Sequence, residues 1–228
     1  MTTQAATAPR TPPRPRSRAL ITVPASAGIA YVAAWAIGLA LWPTNLALDA
    51  SDRTVVTAYT EHRGAAVTQD LFVEGLAAIA LAVVVIALGR AAREPAVGPL
   101  GHVAVIAGIG AALVSMLQCV LGLLLAGAAG AGGDAGRAGA LFDLINRMDG
   151  AKMLALAVMA LAAVGLGRRG LLPRWLGYNG AMLTAALTAS GVGYLLLNDT
   201  LAQAAAVSLP LLLVWVAGVG VALGRRSP

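Results

Sequence analysis

Two acidic residues stand at an interval that lets them act together. Asp70 and Glu74 are four apart. That interval puts both on one face of an α-helix. Two carboxylates so close repel one another, so one of them more readily keeps a proton. A carboxylic acid that carries a proton near neutral pH is a general acid. A lysine facing the pair does the opposite and holds a carboxylate ionised. The same residues also have a structural reading, in which Glu74 and Lys152 form an ion pair that locks two helices. Asp143 and Arg147, again four apart and in the favourable acid-first order, read as a solvated pair that reaches a substrate only from the edge.

These residues must be held by membrane helices. Six apolar stretches, at about 20–42, 70–89, 100–126, 148–167, 176–197 and 205–223, each suit a hydrocarbon core of about 30 Å. The expected fold class is therefore all-α, a polytopic bundle of six transmembrane helices (residues 20–224) behind a disordered basic tail (residues 1–19). An even number of spans puts both termini on one face. That face carries eleven bases, Arg90, Arg93, Arg168, Arg169 and Arg174 among them, with Glu94 as its only acid. The other face carries nine acids and five bases. Basic loops stay cytoplasmic, so both termini are expected inside and the acidic face outside.

Helical rise then assigns depths. Glu74 to Gly89 and Lys152 to Gly167 are each 15 residues, or about 22 Å. If both helices end at the inner boundary, Glu74 and Lys152 lie level, about 8 Å below the outer edge of the core. Asp70 and Asp149 form a tier one turn higher, and Gln118 and Tyr194 reach it from two further helices. Thr54 to Arg63 reads as a short interfacial helix in the first outer loop. Gly127 to Gly139 reads as a mobile Gly/Ala loop, Ala140 to Gly167 as one projecting helix, and Trp42 as part of an outer aromatic belt.

Composition excludes other classes. The chain is 59% hydrophobic and 11% charged, with mean hydropathy +0.81, far from a soluble domain. Its pI of 10.4 comes mainly from the inner-face arginines, which topology and anionic headgroups explain, so no nucleic-acid partner is implied. One cysteine and two scattered histidines argue against a disulfide or a zinc site. Walker, His-Glu-x-x-His, Asp-Asp-x-x-Asp and Gly-x-Ser-x-Gly patterns are absent, so no metal or organic cofactor is implied.

The segment Leu171-Leu172-Pro173-Arg174-Trp175-Leu176-Gly177 resembles the Pro-Arg-Trp-Leu turn of the DUF4386-type bacterial membrane proteins. The amphipathic segment with Leu144, Asn146 and Arg147 that runs into an apolar helix is similar to the same family. That resemblance covers about residues 20–197 and implies a polytopic fold without an assigned activity. In size, helix bundle and acidic pocket the chain also resembles the integral-membrane terpene cyclases of meroterpenoid pathways, whose pocket carboxylates protonate an alkene or epoxide. This likeness implies a metal-independent enzyme of the bacterial cytoplasmic membrane acting on a prenylated or similarly lipidic small molecule. Glu74 or Asp70 would be the acid. Asp149 or Asp143 would steady a carbocation, and Tyr194 or Trp35 would add a π face. Lys152 and Gln118 complete the expected lining. The alternatives are a non-catalytic bundle that binds a partner protein or lipid, and a small transporter.

Overall fold

The computed structural model describes residues 22–42, 46–93, 97–130 and 134–226; the expected disordered tail at 1–19 lies outside them. Among the described residues the chain is helical, with no strand: α1 (Val23–Leu41), α2 (Asp52–Glu61), α3 (Arg63–Asp70), a π-helical turn (Leu71–Leu76), α4 (Ala77–Ala91), α5 (Gly98–Gly130), α6 (Ala135–Arg168), α7 (Arg174–Leu195), α8 (Asp199–Ala202) and α9 (Ala205–Gly224).

Local chemistry sets the ends. Pro24 occupies the first turn of α1, where its missing N–H costs nothing. Ser51 caps α2 by accepting from Thr54 N, and Asp134 caps α6 by accepting from Arg137 N. α6 stops where Gly170 takes a positive φ of 79°. There Leu171 N–H donates back to Leu166 O at 3.0 Å, the Schellman arrangement that glycine permits.

Five helices are long and apolar enough to cross a membrane: Val23–Leu41, Arg63–Ala91, Gly98–Gly130, Ala135–Arg168 and Asp199–Gly224. Their outward faces carry large apolar side chains, with Ile106 74%, Leu113 65% and Leu161 60% exposed. Such a surface suits hydrocarbon rather than water. α7, at 22 residues, is long enough but is diluted by Tyr178, Asn179, Thr184, Thr188 and Ser190.

The long helices close a ring in the order α1, α4, α5, α6, α7, α9 and back to α1, with α9 also touching α4. Glycine permits the close approaches. Gly28 of α1 lies on Ala217 of α9, and Gly220 of α9 lies on Pro24 of α1. α7 runs antiparallel to α6, with Gly177 beside Gly167 at one end and Gly191 beside Gly150 at the other. A methyl at Gly150 would sit 2.6 Å from Gly191 O and 2.7 Å from Leu195 N. Gly150→Ala is therefore expected to lower stability by about 1–3 kcal/mol, which detergent melting measures; an unchanged melting point would contradict this packing.

Several expectations need correction. The second long helix begins at Arg63 rather than near residue 70, because α3 runs through the π turn into α4 without a break. The Gly/Ala loop is shorter than expected: α5 stays helical to Gly130 and α6 starts at Ala135. Alanine-rich backbone propagates helix where side-chain composition suggested a loop. The helix of the first outer loop, α2, is packed rather than merely interfacial. Val55 and Tyr59 on it are buried in a second apolar cluster with Leu125, Ala126, Ala138 and Phe142, from the end of α5 and the start of α6. Trp42 is 7% exposed and meets Tyr59 edge-on, at 4.9 Å between ring centroids and 77°. It is a core residue, not a belt residue.

Candidate functional site

The π turn is the local feature that positions the acids. Ala77 N–H donates to Phe72 O, five residues back, so the backbone is wider here than in an α-helix. Such turns frequently occur at functional sites. Asp70 is the last residue before the turn and Glu74 lies inside it. Both line a cavity of about 960 Å³ enclosed by the ring.

A polar network crosses this space. Lys152 of α6 donates to both carboxylate oxygens of Glu74, each at 2.9 Å. It also contacts Asp149 Oδ1 at 2.6 Å. Gln118 of α5 donates to the same Asp149 oxygen and to Ile145 O, both at 3.1 Å. Lys152 and Glu74 side chains are 8% and 13% exposed, a setting in which an unpaired charge would be costly. The equal depths counted from the inner helix ends thus correspond to direct contact. Asp149 joins this contact instead of standing with Asp70 in a separate upper tier.

Asp70 differs from the other carboxylates. It accepts no hydrogen bond and forms no ion pair among the described residues, and its Oδ2 is fully buried against Gly122 of α5. Only a glycine leaves room for it there. Cys119, the one cysteine, is buried near the same place. Aromatic side chains supply much of the remaining wall: Tyr31 and Trp35 from α1, Trp42, Tyr59 from α2, Phe142 from α6 and Tyr194 from α7. Burial holds the Tyr59 phenol above its ordinary value, and the nearby Asp70 charge adds to this, so the hydroxyl stays neutral.

Of the expected site residues, the structure brings together Glu74, Lys152, Asp149 and Gln118 in one network, and places Asp70, Trp35 and Tyr194 on the cavity wall. Asp143 is not among them. It is exposed on α6 and does not line the cavity. Its expected partner Arg147 turns instead to α7 and donates to Leu195 O at 2.9 Å, satisfying a carbonyl at the end of that helix. The pull of an unpaired helix C-terminus outweighs a solvated pair worth a few tenths of a kcal/mol.

Sequence reasoning missed five contributors. Tyr31 and Tyr59 carried no spacing signal. Phe142 and Asn146 lie in the first turns of α6, which were expected to project beyond the core rather than to line a site. Asp199 closes one end of the cavity: its Oδ1 accepts from Leu48 N at 3.1 Å, tying the 46–48 segment to the first turn of α8. Comparison of the chain with protein-family models, with curated proteins and with solved structures gives no match.

Proposed function

We propose that the chain is an integral-membrane enzyme that protonates a prenylated or similarly lipidic substrate, with Asp70 as the general acid. The observation that carries this reading is the contrast between its carboxyls. Glu74 has both oxygens bonded to the Lys152 ammonium, a pairing that is made by its ionised form. Asp70 faces the same cavity with no cation on it, so it is the group able to deliver one. A proton given to an alkene or epoxide of the substrate creates a carbocation. The Tyr31, Trp35 and Phe142 rings can stabilise that cation through their π faces, and the ionised Glu74 and Asp149 through charge. Ring closure and loss of a proton from a neighbouring carbon then give a product of the same formula, as in terpene cyclisation, with no cofactor consumed. The likeness to membrane terpene cyclases and to the DUF4386-type fold belongs to this proposal.

The Glu74–Lys152–Asp149 network favours a second reading, a bundle that binds a lipid or partner protein without turning it over. Buried ion pairs also serve simply to fix helix pairing. The experiment that separates the two is expression in a host fed with prenylated phenols, indoles and their epoxides, followed by product analysis. Conversion by the native chain and none by Asp70→Asn supports the enzyme; binding without conversion supports the alternative.

The membrane placement of the proposal is six spans in the bacterial cytoplasmic membrane, both termini inside. Its support is that α7 lies along α6 from Gly167 to Arg147, and that Arg226 donates to Gly170 O at 3.0 Å while Thr22 lies against Gly224. These contacts gather the start of α1 and the ends of α6 and α9 at one end of the bundle, where the arginines are. Cysteine labelling in a Cys119→Ala background is expected to reach Ala50→Cys only from outside and Arg93→Cys only from inside. The reverse pattern would overturn the outward-facing cavity.

A further inference from the structure

The cavity has one edge. Its exposed lining residues are Leu39 near the end of α1, Ala47, Asp199 and Gln203 around α8, and Ala206 in the first turn of α9. Every other lining residue is buried or half-buried. α1 and α9 are in glycine-mediated contact lower down, at Gly28 and Gly220. Toward the outer end both helices become cavity wall, from Tyr31 on α1 and from Leu212 on α9. The segment 46–48, pinned by Asp199, covers the top beside this seam. The opening therefore faces sideways, between two apolar helices.

The wall also selects by chemistry. Four carboxyls, Asp70, Glu74, Asp149 and Asp199, face a single ammonium, Lys152. That ammonium is already spent on Glu74 and Asp149. Three donors of the lining have no partner among the described residues, Trp35 Nε1, Trp42 Nε1 and Asn146 Nδ2; Trp42 and Asn146, 7% and 9% exposed, are the more deeply buried. A buried donor without a partner is costly, a cost that an acceptor oxygen on a ligand would recover. A volume of about 960 Å³ lies at the top of the range for single small molecules, about 300–1,000 Å³, and suits one chain rather than a two-tailed lipid.

From these observations we infer that the cavity loads laterally, through the seam between the outer ends of α1 and α9. Its ligand is an uncharged single-chain amphiphile whose oxygen-bearing head meets Trp42 and Asn146, and phosphate-headed lipids are rejected. This inference rests on reading the cavity as a lipid site and adds its entry route and headgroup chemistry. An anionic head would enter beside uncompensated carboxylates, whose repulsion is strong where water is sparse.

The test uses the full chain in nanodiscs, with Trp175→Phe to lower background, and quenching of the remaining tryptophans by bromododecanol and by bromododecyl phosphate. The alcohol is expected to quench saturably, and the phosphate to bind more weakly by at least roughly tenfold, the factor that 1.4 kcal/mol represents. Asp149→Asn is expected to narrow that gap. Ala206→Phe, at the exposed seam, is expected to slow loading severalfold; Val207→Phe, one residue along but off the wall, is expected to leave it unchanged. Equal quenching by alcohol and phosphate would overturn the headgroup selection. Loading of Ala206→Phe at the native rate, with the Val207→Phe control intact, would overturn the route. Because quenching needs no turnover, a chain that takes up the alcohol and converts no substrate would sink the enzyme reading alone.

Discussion

Lys152→Leu is expected to be the most damaging single substitution in this chain. It leaves Glu74 buried with neither carboxylate oxygen compensated, at a cost of about 3–5 kcal/mol. Glu74→Leu should cost somewhat less, because Lys152 retains Asp149 at 2.6 Å. The double change Glu74→Leu with Lys152→Leu removes both charges and should recover most of the loss. Asp149 then remains on Gln118 Nε2 at 3.1 Å and is 24% exposed, so it is not stranded. Detergent melting of the four chains reads this directly. A double variant as unstable as Lys152→Leu would show that the pair is not the energetic unit. Turnover scored on the same set is expected to survive in the double within about one order of magnitude, since the proposed proton donor is untouched.

Asp70→Asn carries the second large effect, and its signature is different. The amide keeps the shape beside Gly122 but has no carboxylic proton to give. Turnover is expected to fall by about two to four orders of magnitude. Stability should hold, because one neutral buried group of similar shape replaces another. Gly122→Ala gives an independent check, since its methyl would occupy the place of Asp70 Oδ2. It should lower turnover by displacing the acid, while Asp70 itself is retained. A fall in stability equal to the fall in activity for Asp70→Asn would point to a structural role instead.

The helices were legible in the sequence because a bilayer imposes length, and because Gly89 and Gly167 give helix ends from which depth can be counted. That counting placed Glu74 level with Lys152, and the two are in contact. The pairing of their faces was not legible, since helix rotation follows from packing around the ring. The π turn was also hidden: Leu-Phe-Val-Glu-Gly-Leu has no composition that distinguishes it from an α-helical span. Arg147 shows a further limit. Its near neighbour Asp143 is visible by spacing, whereas Leu195 O, 48 residues on, becomes a partner only once α6 and α7 lie side by side. Trp42 and Tyr59 fail for the same reason, because the α2 fold-back that buries them depends on the outer extensions of α5 and α6. The marginally apolar α7 shows the converse, a helix whose polar residues lower its hydropathy while its glycines bind it tightly to α6.

The central claim is that Asp70 gives a proton to a substrate held in the cavity. It is tested most directly by turnover in deuterium oxide with product mass analysis. The claim predicts a product of unchanged formula that carries one solvent deuterium at the carbon or oxygen first protonated, formed by the native chain and lost in Asp70→Asn. A product free of solvent deuterium, or formed equally by Asp70→Asn, would contradict it.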